Sequence, residues 1–434
     1  MIVGIIGMGY VGLTLAVALA ERNVKVIGLD IDLSKIQMIA SGKPPFYEEG
    51  FELSLRGVVE NGNLKVTDRL SDLTEISHCV ITVGTPLLDK SFDTSQIEKV
   101  ILDIGKLVNP DTLVCLRSTV GLGTSRKLQR ILLELGHSGE VAMCPERTIE
   151  GFALSELYKL PQIIGVETQT SKEMAETLFS KLGVQLLFTD SFEIAELAKL
   201  ACNAWRDLYF AFANEVALIG EDLGVNARKA LNIAAVDYPR FRAATPGPVG
   251  GPCLVKDGIS LASSSSRREK TGSLFDTARR INESVVEWSI QKSRDFIASN
   301  SNLSINIGVI GLTFKSFPPT DDLRDSPTIS YMSKLKTLDT NIQFFCWDSN
   351  YVNQGMVLNK SGESLIKHLT MMEQVFLDCK IVTIWHKLTP QTKEKLRECI
   401  IQYPQTVVID SWANFSENEL THDFYYAFGN GGGV

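Results

Sequence analysis

The stretch Ile2-Val3-Gly4-Ile5-Ile6-Gly7-Met8-Gly9-Tyr10-Val11-Gly12 decides how this chain is read. A β-rich run, Ile2–Ile6, leads directly into three glycines spaced as GxGxxG, and an amphipathic helical pattern, Gly12–Glu21, follows. The first glycine allows a tight turn. The second lets a pyrophosphate approach the backbone, and the third permits close helix–strand packing, with the helix N-terminus facing the phosphates. Asp30 ends the next strand pattern, Lys25–Leu29, roughly 20 residues on, where the fingerprint places the acid that binds a ribose 2′-hydroxyl. Its charge repels a 2′-phosphate and no Arg stands just after it, so NAD is expected over NADP. The bland alternative is a glycine-rich turn in some other α/β protein; strand, helix and Asp30 together argue against it.

Outward from this stretch, short strands alternate with helices. Strand patterns recur at Cys79–Val83, Thr112–Leu116 and Val141–Cys144, with helical patterns such as Leu33–Ser41 between them. That alternation implies a parallel sheet covered on both faces. The rhythm breaks near Ser191. From Phe192 to about Leu223 runs one long helical pattern without proline, and helical patterns continue to about Pro239. A Pro/Gly-rich loop follows, Thr245-Pro246-Gly247-Pro248-Val249-Gly250-Gly251-Pro252. Ser263–Lys270 reads as a helix end or exposed turn, and Thr277–Ser293 as a further helix. Near Ser304 the strand–helix rhythm resumes, with strands expected at Ile307–Ile310, Ile342–Trp347, Ile381–Trp385 and Thr406–Asp410. The expected fold class is α/β: two doubly wound, Rossmann-like domains joined by a central all-helical domain with one long helix. The expected boundaries are 1–191, 192–295 and 296–434. The closing Gly429-Asn430-Gly431-Gly432-Gly433-Val434 is expected to pack against nothing and to be flexible.

Bulk composition narrows the function classes. The chain has 434 residues, 44% apolar and 22% charged, which fits an ordinary globular protein with several packed cores. A net charge of −8 disfavours nucleic acid as a partner, because phosphate-backbone binding needs a surplus of Lys and Arg on one face. No run reaches the roughly 20 apolar residues of a membrane span, and the N-terminus lacks the basic start of a signal peptide. The eight cysteines are scattered without CxxC pairs, which fits a reducing cytoplasm, and the five dispersed histidines suggest no metal site.

Several residues carry candidate chemistry. Lys199 and Asn203 lie four apart on the long helical pattern, so they share one face, with Glu196 on the same side. An ammonium and an amide together can stabilise a developing oxyanion, although a solvated polar stripe is the commoner meaning of such spacing. Cys253 sits in Gly250-Gly251-Pro252-Cys253-Leu254-Val255-Lys256-Asp257, a Gly/Pro-rich loop whose glycines let a ligand reach the thiol and whose nearby Lys256 favours the reactive thiolate. An inert loop cysteine is the alternative. Cys144-Pro145-Glu146-Arg147-Thr148-Ile149-Glu150-Gly151 follows a strand end, where open α/β sheets hold ligands, so Glu146 or Glu150 can serve as a base or orient a water. Read in isolation, Arg324 in Asp321-Asp322-Leu323-Arg324-Asp325-Ser326-Pro327 is a surface ion pair.

These pieces occur in one order: GxGxxG, Gly84-Thr85-Pro86, the RSTVxxGT run from Arg117 to Thr124, CPER, ExxKxxxN, GGxCxxKD, GLTFK and DDLRDSP. In that order the chain resembles the UDP-glucose/GDP-mannose dehydrogenase family, to about residue 415. The resemblance implies an NAD domain, a central helical domain that forms a homodimer, and a C-terminal nucleotide-sugar domain. It implies two successive oxidations of a C6 alcohol to a carboxylate, with Cys253 carrying a thiohemiacetal and then a thioester. Lys199 and Asn203 are then expected to hold the C6 oxygen, and Asp257 and Glu146 to assist proton transfer and water activation. Gly7, Gly9, Tyr10, Val11, Gly12, Asp30, Lys35, Thr85, Thr119, Glu150, Lys256 and Arg324 are expected at NAD. Glu146, Lys199, Arg240, Gly250 and Lys315 are expected at the nucleotide-sugar, which makes the expected partners this substrate, NAD and a second copy of the chain.

The family's usual Pro after STV is Gly121 here. Lys256 before Asp257 resembles the UDP-glucose and GDP-mannose enzymes, whereas CPER and the stretch from Tyr238 to Gly251 resemble enzymes acting on UDP-N-acetylhexosamines, which usually carry His where Pro252 stands. The lean is towards a UDP-N-acetylhexosamine. Two rivals are a β-hydroxyacid dehydrogenase, which transfers one hydride and has no use for Cys253, and a non-catalytic dinucleotide-sensing protein.

Overall fold

The computed structural model describes residues 1–265, 272–299, 306–339, 341–351, 364–366, 368–416 and 418–431. The chain divides into two compact units, Met1–Cys202 with a return segment from Ile259, and Asn203–Gly258 with the chain from Thr271 onward. The expected exposed turn at 263–270 falls largely outside the described residues, as do 432–434 of the tail.

The first unit is built on an eight-stranded sheet. Its strands are β1 (Ile2–Ile6), β2 (Lys25–Leu29), β3 (Leu64–Thr67), β4 (His78–Ile81), β5 (Leu113–Leu116), β6 (Val141–Met143), β7 (Gln162–Gly165) and β8 (Leu186–Thr189), in the order β8-β7-β6-β5-β4-β1-β2-β3. Pairing is parallel except between β6 and β7. Strand order reverses between β1 and β4, the place where a doubly wound sheet opens a crevice at its carboxyl ends. A strand buried along its whole length, such as β5, reads as an unbroken apolar run because helices cover both faces. Helix α1 (Tyr10–Glu21) is buried almost throughout and α2 (Thr124–Glu134) is strongly amphipathic, with Leu128 and Leu132 turned inward.

Helix α3 spans Phe192–Leu223, the interval read from the sequence. The second unit continues with α4 (Ala227–Ala235), the first residues of α5 (Leu254–Ser263), α6 (Leu274–Ser299) and α7 (Pro327–Leu338). Its sheet has strands β9 (Asn306–Ile310), β10 (Gln343–Trp347), β11 (His368–Leu369), β12 (Ile381–Ile384), β13 (Val407–Asp410) and β14 (Tyr425–Ala427), in the all-parallel order β11-β10-β9-β12-β13-β14. This is a second doubly wound sheet.

The two sheets share local construction as well as order. Gly7 follows β1 with φ +96° and donates to Leu29 O at 2.8 Å; Gly311 follows β9 with φ +93° and donates to Trp347 O at 2.8 Å. In each, the acid after the second strand accepts the next backbone N–H: Met8 to Asp30 at 2.8 Å and Leu312 to Asp348 at 2.5 Å. Among the described residues no helix is long and apolar enough to cross a membrane.

The tail departs from expectation. Gly429 and Gly431 donate to Glu221 Oε1 at 2.8 and 3.2 Å, and Phe428 is fully buried against Ala217, Ala227 and Val285. Their φ angles, +81° and +84°, are left-handed, so glycine serves a fitted backbone path there and does not signal slack.

Candidate active site

In the first unit the glycine loop separates into three different demands. Gly7 has a left-handed φ, and a Cβ at Gly12 would lie 1.9 Å from Gly7 O. A Cβ at Gly9 would meet no protein atom within 4 Å. The fold therefore needs Gly7 and Gly12 for itself, while Gly9 leaves open space at the N-terminus of α1, a cradle that fits a dinucleotide's phosphates. Asp30 is buried at the end of β2 and also accepts from Asp32 N at 3.0 Å and from Lys35 Nζ at 2.9 Å, so two residues expected at NAD meet here. At the next strand ends, Thr85 donates to Thr119 O at 2.6 Å, bringing those two expected residues together. Glu150 sits half-buried in a turn next to Gly151.

Glu146 follows β6 and is 7% exposed. Arg117, at the end of β5 and 2% exposed, donates to Glu146 Oε2 at 2.7 Å, to Gln162 at 2.8 Å and to Cys144 O at 3.1 Å. Burial pushes the Glu146 carboxyl up, but the Arg117 guanidinium, the bonds from Thr148 and the charge of Lys199 outweigh it and hold the group below the ordinary carboxylate range. Glu146 is thus an ionised, fixed acceptor, able to orient a water and unsuited to an acid. Lys199, 7% exposed on α3, belongs to the same electrostatic group.

Glu196 does not share the task of Lys199. It is fully buried and accepts from Gly123 N at 2.6 Å, Ser125 N at 2.8 Å and Ser125 Oγ at 2.8 Å, so it caps the exposed N–H groups at the start of α2. Two further residues escaped the sequence reading. Arg117 looked like an ordinary motif arginine, and only its neighbours reveal a buried anchor. Glu48 accepts from Gly151 N at 2.9 Å, Leu154 N at 3.0 Å and the Tyr10 hydroxyl, and so fixes the tyrosine of the glycine loop; its setting, Tyr47-Glu48-Glu49, reads as a solvated acidic run.

In the second unit Asn203 donates to Asp257 Oδ2 at 2.6 Å, both residues being buried. Cys253 precedes α5; its carbonyl accepts from Lys256 N at 3.3 Å and Asp257 N at 3.0 Å, which places the thiol at the positive end of that helix. It is exposed, as is Cys202 on α3, so exposure alone does not single it out. Burial pushes the thiols of Cys79, Cys144, Cys346, Cys379 and Cys399 up, which makes them unreactive.

The glycines before Cys253 have a different basis from ligand access. A Cβ at Gly250 would lie 2.4 Å from Asp325 O, and one at Gly251 2.5 Å from the Phe314 ring, and Gly251 has φ +92°. The loop is pinned further upstream. Asn214 exchanges bonds of 2.8 and 3.0 Å with the Gly247 backbone, Arg279 donates to Val249 O at 2.9 Å, and Asn282 and Asp207 complete a buried network with Arg279. Lys315 lies over the Phe314 ring at 5.3 Å, Arg240 is exposed beside Tyr238, and Arg324 forms an ion pair with Asp322 at 2.6 Å. Among the described residues no group of three His, Cys, Asp or Glu side chains could hold a metal ion.

A doubly wound crevice with an open glycine cradle and an acid at the ribose position defines an NAD-dependent oxidoreductase. Residues 1–183 match the NAD-binding domain of the UDP-glucose/GDP-mannose dehydrogenase family and residues 193–284 its central domain. The chain belongs to that family, whose members are nucleotide-sugar dehydrogenases. It is 34% identical to the UDP-N-acetyl-D-mannosamine dehydrogenase of Pyrococcus horikoshii, over 77% of this chain and 80% of the relative. It is 32% identical to an NDP-N-acetyl-D-galactosaminuronic acid dehydrogenase of Ralstonia nicotianae, over 77% and 79%. The solved UDP-D-ManNAc dehydrogenase of Pyrococcus horikoshii superposes with a TM-score of 0.86 and 28% identity, covering 99% of this chain and all of that one.

Proposed function

We propose that the chain oxidises the C6 alcohol of a UDP-N-acetylhexosamine to the acid in two steps, with Cys253 as the covalent nucleophile. The observation that carries this reading is the position of Cys253: an exposed thiol at the N-terminus of α5, one turn before Asp257, whose carboxylate takes the amide of Asn203. Gly7, Gly9, Tyr10, Val11, Gly12, Asp30, Lys35, Thr85, Thr119, Glu150, Lys256 and Arg324 are assigned to NAD, which when bound accepts a hydride from C6 in each oxidation.

Lys199 and Asn203 donate to the C6 oxygen. Loss of the alcohol proton and a hydride leaves an aldehyde, and Lys199 stabilises the charge on oxygen. The Cys253 thiolate attacks that carbonyl, and the oxygen takes a proton to give a thiohemiacetal. Loss of a second proton and hydride leaves a thioester. Glu146, held ionised by Arg117, takes a proton from the water that attacks the thioester, releasing the acid and the thiolate. Asp257 orients Asn203. A tether of this kind keeps the aldehyde from escaping between the two oxidations, which a single oxidation does not require.

Relatives named UDP-N-acetyl-D-mannosamine dehydrogenase and NDP-N-acetyl-D-galactosaminuronic acid dehydrogenase support the hexosamine choice, as do the CPER stretch and Tyr238-Pro239-Arg240. Glu146, Lys199, Arg240, Gly250 and Lys315 are assigned to the sugar-nucleotide. We assign the segments 1–191, 192–295 and 296–434 to NAD binding, dimerisation and nucleotide-sugar binding, in the cytoplasm. A homodimer through α3 is supported by Trp205, Phe212, Ile219 and Leu223, exposed by 65, 50, 50 and 72% at helical spacing.

The test is stoichiometric. Two NADH should form per sugar consumed, with an acid as product, and Cys253→Ser should stop acid release. One NADH per sugar, or near-normal turnover by the serine variant, overturns the covalent mechanism.

A further inference from the structure

Resting on the assignment of Cys253 as nucleophile, we propose that Arg228 is a positioning residue for the Cys253 loop and that the C-terminal stretch Phe428–Gly431 is the strap that holds it in place. Arg228 lies in the first turn of α4. Its Nε donates to Phe428 O at 2.7 Å and its terminal nitrogen to Pro246 O at 2.7 Å. One planar guanidinium thus spans the Phe428–Gly431 stretch and the first residues of the loop that leads to the thiol. A guanidinium has a rigid fork of donors, so fixing one carbonyl sets the position of the other.

The strap is itself locked at both ends. Glu221 Oε1 accepts from Gly429 and Gly431, while its Oε2 accepts from Trp288 Nε1 at 3.1 Å. Gly429 O accepts from Ala227 N at 3.0 Å and Arg228 N at 3.3 Å, so the strap satisfies the first N–H groups of the helix that carries Arg228. Phe428 packs edge-on to Trp288 at 5.3 Å between ring centres. A Cβ at Gly431 would lie 2.5 Å from the backbone of Val225, which leaves no room for another residue. From Pro246 the loop runs through the Asn214 bonds at Gly247, the Arg279 bond at Val249 and the Asp325 bond at Gly251. In this series the pin at Pro246 depends on the Phe428–Gly431 stretch.

The experiment compares the full-length chain with Arg228→Lys, Arg228→Gln and a chain ended after Ala427. A displaced thiol captures the aldehyde late. Arg228→Gln and the shortened chain should therefore release aldehyde, trapped as a hydrazone, and form more than two NADH per acid. Acid formation should fall by roughly 10- to 100-fold with KM for NAD nearly unchanged. Alkylation of Cys253 by iodoacetamide, followed by mass spectrometry, should change several-fold, and Arg228→Lys should recover part of each effect. A merely structural role lowers the folded fraction but leaves the NADH-to-acid ratio at two and the alkylation rate per folded molecule unaltered, and that result overturns the proposal. If Arg228→Gln does not fold, the lysine variant and the shortened chain carry the same readouts. Cys253→Ala separates the two readings: normal acid formation by that variant refutes the nucleophile, whereas its inactivity beside normal strap variants refutes the strap alone.

Discussion

Arg117 donates to Glu146 Oε2 at 2.7 Å between side chains that are 1% and 9% exposed, so a charge pair is sealed at the carboxyl edge of the first sheet. Removing one partner strands the other. Arg117→Met should cost about 3–5 kcal/mol in urea unfolding, whereas Glu146→Gln, which keeps a hydrogen-bonding group, should cost less. The pH dependence follows from direction. Glu146 lies below its ordinary 4.5 in the folded state, so its contribution is complete above that value and is lost as pH falls through the lowered one. Stability of wild type and Glu146→Gln should differ in pH slope only below about pH 4.5; a difference in slope between pH 6 and 8 contradicts the assignment.

Gly9 and Gly12 should fail in different ways. A methyl group at Gly12 runs into Gly7 O, and Gly12→Ala should destabilise by about 1–3 kcal/mol or more. At Gly9 it meets no protein atom within 4 Å, so Gly9→Ala should melt close to wild type while KM for NAD rises roughly tenfold. Thermal melts set beside initial rates decide the matter, and equal damage from both contradicts the cradle.

The proposed site makes Asp30 the residue that sets cofactor choice. The wild type should prefer NAD over NADP in kcat/KM, and Asp30→Ser should narrow the gap, because Lys35 then faces the 2′ position without its carboxylate partner. An unchanged ratio would remove Asp30 from the site.

For the sugar, a pocket built for an N-acetyl group leaves a polar partner unmatched when UDP-glucose binds. The expected loss is about 1–3 kcal/mol, one to two orders of magnitude in kcat/KM. Side-by-side rates for UDP-ManNAc, UDP-GlcNAc and UDP-glucose test it, and a preference for UDP-glucose rejects the hexosamine assignment while leaving the family unaffected.

Strong local periodicity was legible: α3, β1 and β2 occupy the residues their patterns mark. Strands β3, β7, β8, β11 and β14 were not identified. They have two to four residues each, and edge strands such as β8, where Leu187 is 39% exposed, lack the unbroken apolar run of a buried strand. Lys199 and Cys253 stood out because a charged or nucleophilic group sat in apolar or glycine-rich company, Asn203 because it lies four residues from Lys199, and Asp257 through the GGxCxxKD motif. Arg117 and Glu48 did not, because what distinguishes each is a partner 29 or 103 residues away. The tail misled for the opposite reason: glycine richness looks the same whether a segment is loose or threaded through a tight path.

The glycines at 247, 250 and 251 restrict how this enzyme can be retuned. Added side-chain atoms would strike Trp412, Asp325 or Phe314, so laboratory selection for a new sugar has almost no usable variation at those three codons. Pro252, half-buried beside the thiol, is the neighbouring position where the resemblance already shows a different residue. A library that holds the glycines fixed and randomises Pro252 with the exposed Arg240 spends its diversity where the backbone can accept it.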